Sequence, residues 1–371
     1  MEMLATDSTQ MEINKESPIM PWLVTFSAAG FFFYQFILIT IFNALNEPML
    51  KEFQITVTQL GHVSASYFIA GILSLLISGI ILDRYSVRKV IITAFLVSIL
   101  SIFLFAIAPN PFCALLARFL AGISGTFCFL GPMKIASRWF APKRLALVIG
   151  LIVSYAMIGG VIAQIPITAL AESVGWRYTS IILAGAGIVF LIPIITTVRD
   201  YPEHYHNPSH PEHRRSLKDL VVELKQTVFK TQNWLSGLYI SLINLPVYIL
   251  GAMWGTMYLK QVHHLARIET TYVTAMIFLG MMFGCPIMGW ISDKMQLRKR
   301  PMAIFGLASI IPFIFLIQNA QYSLSTLMLI FFAIGFFIGI QVIGYPLVAE
   351  SNPKELNATA QGLVSTVVIM G

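Results

Sequence analysis

Two short stretches constrain this chain more than anything else in it. Gly79-Ile80-Ile81-Leu82-Asp83-Arg84-Tyr85-Ser86-Val87-Arg88-Lys89 closes one long apolar run, crosses a basic turn and opens the next. Gly289-Trp290-Ile291-Ser292-Asp293-Lys294-Met295-Gln296-Leu297-Arg298-Lys299 repeats the Gly, the Asp, a basic residue, the Arg and the Lys at the same spacing. Each copy follows two apolar runs that begin at a Trp-Leu pair, Trp22-Leu23 and Trp234-Leu235. An internal repeat decides architecture before local structure does, so the chain is read as a duplicated membrane protein.

Composition agrees. Hydrophobic residues make up 57% of the chain and charged ones 11%, and a span needs roughly 20 apolar residues to cross about 30 Å of hydrocarbon. Spans are expected at about 21–45, 60–82, 90–108, 112–137, 145–170, 179–198, 233–259, 271–291, 302–318 and 323–348. Residues 1–20 form a tail, 21–198 a first six-span half, 199–232 a polar linker and 233–371 a second half. The last apolar run, 361–371, covers roughly half a bilayer at about 1.5 Å per residue, so the second half is expected to be truncated in its eleventh span. The Pro of Asn46-Glu47-Pro48 is expected to stop the first span.

The net charge of +7 does not indicate a nucleic-acid partner, because the basic residues sit in short turns. Only Lys51, Arg177, Lys260 and Arg267 lie at one side, and Arg118 lies inside a span; the others gather at the opposite side, with the N-terminal tail. The positive-inside tendency then makes the N-terminus cytoplasmic and the membrane the inner one. Cys113, Cys128 and Cys285 fall within apolar runs and form no disulfide or metal pattern. In the linker, Leu217, Leu220, Val221, Leu224 and Val228 share one helical face, so 216–230 is expected to lie along the lipid surface. His204, His206, His210 and His213 precede it and suit a solvated linker better than a metal site.

Six spans, a cytoplasmic linker, the start of six more and the two repeated turns resemble the major facilitator superfamily of secondary transporters. Arg118 with Gly122 and Gly125, Ser137-Arg138-Trp139-Phe140, Gly175-Trp176-Arg177 and Arg199-Asp200-Tyr201-Pro202-Glu203 add to the likeness. Trp254-Gly255 with Tyr258-Leu259 is similar to bacterial anion:cation-symporter-like members. Such turns usually carry Gly where this chain has Ser86 and Gln296. The fold implied is an all-α bundle of two pseudo-symmetric six-helix halves, with about ten full spans and part of an eleventh present.

Gly79 and Gly289 lack side chains, so another helix can approach closely. Asp83 and Asp293 can face the positive N-terminus of a helix in the other half. The resemblance puts those partners at the start of the eleventh span, Asn357 to Thr359, and of the fifth, Arg144-Leu145. Arg84, Arg88, Lys294 and Arg298 are candidates to pair with these carboxylates or with lipid phosphates. The result is a cytoplasmic latch favouring the outward-open state; the alternative is that all eight residues only anchor topology. Arg118 is expensive to bury unpaired, so it either binds an anionic or zwitterionic solute or bonds to carbonyls of the first span. The family's cavity is lined by the first, fourth, seventh and tenth spans, which adds Tyr34, Gln35, Tyr248, Trp254 and Gln341. Tyr155 and Gln164 on the fifth span are further candidates. Ion coupling, with H+ as first choice, offers only Glu47 and His62 as local groups.

No nucleophile–base set, metal constellation or nucleotide loop is present, so no enzyme and no cofactor is expected. The function expected is alternating-access transport of a small organic solute by a monomer in contact with lipid. The rival is a transport-incompetent carrier remnant that serves as a membrane sensor or assembly partner.

Overall fold

In the computed structural model, residues 18–202, 225–253, 255–318, 322–353 and 356–370 are described. Ten helices there are long and apolar enough to cross a membrane. They are α1 (Met20–Thr40), α2 (Val57–Arg84), α3 (Val87–Ala106), α4 (Pro111–Trp139), α5 (Pro142–Val174), α6 (Trp176–Thr197), α7 (Thr231–Gly251), α8 (Ile268–Met295), α9 (Lys299–Ile317) and α10 (Leu324–Ser351). A shorter apolar helix, α11 (Asn357–Met370), follows. The histidine cluster and most of the surface helix expected at 216–230 lie outside the described residues, as do Trp254 and the side chain of Glu47.

Local chemistry starts these helices. Thr56 and Gln59 form a capping box at the head of α2, Ser86 accepts from the Lys89 amide at the head of α3, and Asn110 accepts from the Cys113 amide before Pro111. Ser86 therefore serves as a cap at φ −55°, where no Gly is required. Gln296 is different. It ends α8 in the left-handed region at φ 52°, a conformation that costs a residue other than Gly roughly 1–2 kcal/mol. Its side-chain amide donates to the Asp293 carbonyl oxygen, which steadies the turn.

The first span departs from expectation. It does not stop before Pro48; a second helical segment, Phe42–Phe53, carries Pro48 inside it and ends at Gln54. Proline removes one backbone bond, but Leu45 and Met49 of this segment are fully buried, and that packing outweighs the loss.

The two halves meet where α2 packs on α11 and α5 packs on α8, a pseudo-symmetric exchange of partners. At the basic end of the bundle, a Cβ on Gly79 would collide with the Ala358 backbone and one on Gly289 with the Ala146 backbone. Both glycines are therefore required by close helix approach. Two further helices are interrupted mid-span. Below Gly125, α4 breaks at Thr126, and α10 tightens into a 3₁₀ turn over Gly339–Ile343. Aliphatic side chains such as Ile69, Leu73 and Ile77 on α2 stand exposed on the outer surface, as contact with hydrocarbon demands.

Candidate functional site

Each repeated turn places its carboxylate on a helix start of the other half. Asp83, at the end of α2, accepts from the Ala358 amide at 3.2 Å, the Thr359 amide at 2.8 Å and the Thr359 hydroxyl at 2.7 Å. These donors sit in the first turn of α11, whose free N–H groups and positive dipole end favour a carboxylate. Asp293, at the end of α8, accepts from the Leu147 amide at 2.8 Å in the first turn of α5. The Asp83 partners fall within the expected Asn357 to Thr359, and the Asp293 partner, Leu147, lies two residues past the expected Arg144-Leu145.

The basic residues of the two turns do not repeat each other. Arg298 donates to Asp293 at 2.6 Å and to Glu350 on α10 at 2.6 Å, and reaches the Pro142 carbonyl across the halves at 3.4 Å. Its counterpart Arg88 turns away: the guanidinium donates to the Ile195 carbonyl at 2.6 Å, and its backbone amide donates to Asp200 at 2.8 Å. Lys294 lies over the Trp290 ring at 4.9 Å, and Arg84 is exposed.

The cation on Asp83 is Lys134 of α4, which also donates to the Leu82 carbonyl at 2.8 Å. The side chains of Lys134 and Asp83 are each 8% exposed. By sequence Lys134 groups with the basic residues that close the fourth span; the structure buries it on Asp83.

Arg118 is 6% exposed. Its Nη1 donates to the Leu38 carbonyl of α1 at 3.1 Å, and its guanidinium lies 4.5 Å from the Phe42 ring and 5.0 Å from the Tyr67 ring. Its Nε is buried with no partner among the described residues. Tyr34 donates to the Leu183 carbonyl of α6 at 2.9 Å. The Gln35 amide donates to Tyr67 at 3.0 Å and the Ala121 carbonyl at 3.2 Å, and accepts from Ser98 at 2.8 Å. Tyr34 and Gln35 thus spend their polar groups inside the first half.

Aromatic rings meet across the halves: Phe129 of α4 lies 4.7 Å from Tyr345 of α10 and Phe36 of α1 lies 6.2 Å from Phe278 of α8. Within the first half, Phe32 of α1 lies 5.3 Å from Phe129. Tyr155 stacks on Phe33 at 4.9 Å. Tyr248 lies in the π turn Val247–Met253 of α7. Gln341 accepts from Asn244 of α7, and Gln164 is half-buried in the π turn Ala163–Ile167 of α5. His62 is exposed at the start of α2.

Away from the basic end, Glu52 joins the first half together. It accepts from the Trp176 indole at 2.6 Å and from Arg177 at 2.7 Å, while Arg177 also donates to the Ala106 and Ala108 carbonyls at 2.6 and 2.8 Å. Burial opposes ionisation of Glu52, but the Arg177 and Trp176 bonds and the Arg177 charge win and hold its carboxyl below the ordinary glutamate range.

Comparison with known sequences matches the profile of the Major Facilitator Superfamily over residues 25–370. The chain belongs to the major facilitator superfamily. Within that superfamily it is 25% identical over 350 residues to the membrane sensor protein UhpC of Escherichia coli (strain K12), covering 89% of this chain and 78% of that protein. It is 22% identical over 377 residues to a probable hexose phosphate transport protein of Chlamydia pneumoniae, covering 92% and 80%. Among solved structures, a bacterial homolog of the human lysosomal transporter Spinster, inward-facing and unoccupied, superposes with a TM-score of 0.64. That match has 18% identity and covers 96% of this chain and 81% of the other. The superfamily consists of membrane transporters rather than enzymes, and this chain is a multi-pass membrane protein of that class.

Proposed function

We propose that this chain is a secondary active carrier that moves a small organic solute across the inner membrane by alternating access, with the latch end facing the cytoplasm. The observation that carries the reading is the pair of latches. Each is a carboxylate of one half bound to backbone amides of a helix in the other, so its bonds exist only while that end is closed. Such a contact is a two-state element that a bound solute or ion can bias. The basic residues concentrated at the same end support the orientation. An ion gradient, H+ first, supplies the driving force.

The solute is a small organic anion or zwitterion. Arg118 supports this, and so does the hexose phosphate named for the Chlamydia relative. α1, α4, α5, α7 and α10 hold no carboxylate away from their ends, Glu172 and Glu350 lying near the ends of α5 and α10. Because Nη1 of Arg118 is bound to Leu38, it acts through its field and through the Tyr67 ring beside it rather than as a free two-pronged fork. The test is uptake into proteoliposomes with an imposed pH gradient, using glucose 6-phosphate, a small carboxylate and an organic cation as probes. Uptake of an anion above protein-free vesicles is the expected result, and transport of the cation alone would refute the assignment.

The 25% identity to a protein named as a membrane sensor favours a second reading, in which the same switch reports solute without moving it. Solute-dependent stabilisation with no uptake would select it.

A further inference from the structure

The two latches look equivalent in sequence but are charged from different places. In the second, the cation on the carboxylate is Arg298, a residue of the turn itself. In the first, Arg88 holds the same place in the motif but bonds to the Ile195 carbonyl of α6 and not to Asp83 among the described residues. Asp83 is paired instead with Lys134, which lies on the lower segment of α4, Phe127–Trp139. That segment begins at the break at Thr126 and also carries Phe129, whose ring packs 4.7 Å from Tyr345 of the other half. Lys134 and Phe129 are about 7.5 Å apart along the helix axis at 1.5 Å per residue. One piece of helix therefore touches α10 through a ring and, through its ion pair with Asp83 of α2, is linked to the start of α11.

We infer that Lys134 is the positioning residue of the first latch, coupling movement of the lower α4 segment to the grip of Asp83 on α11. The inference rests on the latch reading. Lys134 and Asp83 belong to the same half, so their pair persists when the end opens. What changes is the aim of the carboxylate: Lys134 and the Leu82 carbonyl hold it where the Ala358 and Thr359 amides can reach it. A shift of α4 driven through Phe129 moves the anchor and loosens α11. The second latch is linked to α10 differently, through the turn cation Arg298, which holds Asp293 and Glu350 together, so the helix there contributes an anion and not the cation itself.

The experiment places nitroxide labels at Tyr85 and Pro353, both exposed and on opposite sides of the latch, and reads the ratio of long to short distances by pulsed electron resonance. Lys134→Met raises the long-distance share at least about fivefold, the lower edge of ordinary site-to-site coupling, as Asp83→Asn does. Lys134→Arg keeps the short distance, and Arg88→Met leaves the ratio unchanged. Phe129→Ala shifts the ratio in the same direction as Lys134→Met although it removes no charge. Should Lys134→Met fail to fold because Asp83 is left unpaired, the double variant Lys134→Met/Asp83→Asn removes both charges and shifts no further than Asp83→Asn alone. A Lys134→Met protein with the wild-type ratio beside a shifted Asp83→Asn protein would overturn the role of Lys134 and leave the latch standing. An additive double variant, or an Arg88→Met shift as large as that of Lys134→Met, would also overturn it. An Asp83→Asn protein with the wild-type ratio would remove both the latch and the inference.

Discussion

Asp83→Asn and Asp293→Asn perturb the two latches unequally, and the inequality is computable from the structure. Asp83 accepts three bonds from α11, two from amides and one from a hydroxyl. Asp293 accepts one bond from α5. A charge at a helix N-terminus contributes about 0.3–1 kcal/mol when exposed and up to about 2 kcal/mol when partly buried. Hydrogen bonds to charged groups strengthen it further. The direct charge–charge energy of the Lys134 pair drops out of the gate balance, because both partners stay in one half whichever way the ends open; Lys134 enters that balance only by aiming the Asp83 carboxylate. Asp83→Asn is therefore expected to favour the open end by about 1–2 kcal/mol, roughly five- to thirtyfold, and Asp293→Asn by less than about 1 kcal/mol. Hydrogen exchange by mass spectrometry on peptides covering the starts of α11 and α5 reads these ratios, since the amides exchange only when released. Faster exchange at Ala358 and Thr359 in Asp83→Asn, and a smaller change at Leu147 in Asp293→Asn, are the expected results. Equal changes, or the reverse order, would refute the reasoning that counts cross-half bonds.

Other outcomes follow from the same geometry. Gly79→Ala places a Cβ against the Ala358 backbone and is expected to shift the open population in the direction of Asp83→Asn without altering charge, read by the same exchange measurement. Glu52→Gln is expected to destabilise the first half by less than about 1 kcal/mol at pH 7, because the pair with Arg177 is partly exposed. The folded-state pKa of Glu52 is depressed, so its contribution is present above the ordinary glutamate pKa of about 4.3 and lost as pH falls through the folded value. The melting difference between wild type and Glu52→Gln should accordingly vanish in acid. Cysteines at Ser86 and Gln296 are expected to react only from the cytoplasmic side and one at Asn110 only from the other, measured in right-side-out and inverted vesicles.

Much of this was legible in the sequence because the repeat is a statement about three-dimensional symmetry. Asp83 and Asp293 sit at the ends of spans, and their partners are helix starts, which punctuation such as Asn357 and Arg144-Leu145 marks. What the sequence hid were choices of face and of neighbour. Tyr34 and Gln35 stand out as polar residues in an apolar helix, but their polar groups are spent within the first half, and it is Phe36 that reaches the other half, at Phe278. Neighbouring residues differ by about 100° around a helix, and nothing local says which direction is inward. Lys134 was hidden because a lysine near a span end ordinarily reaches water, and its burial depends on Asp83, far away in sequence. The reach of Arg298 to Glu350 is likewise set by the closing of α8 onto α10. Pro48 misled because one lost backbone bond is weaker than the burial of Leu45 and Met49 around it.

The most direct test of the account measures both ends of the bundle at once. Labels at Tyr85 and Pro353 report the latch end, and labels at Val57 and Ile268, both exposed at the heads of α2 and α8, report the other. Alternating access predicts that Asp83→Asn lengthens the first distance and shortens the second in the same molecules. Lengthening at the latch end with no change, or with lengthening, at the other end would contradict it.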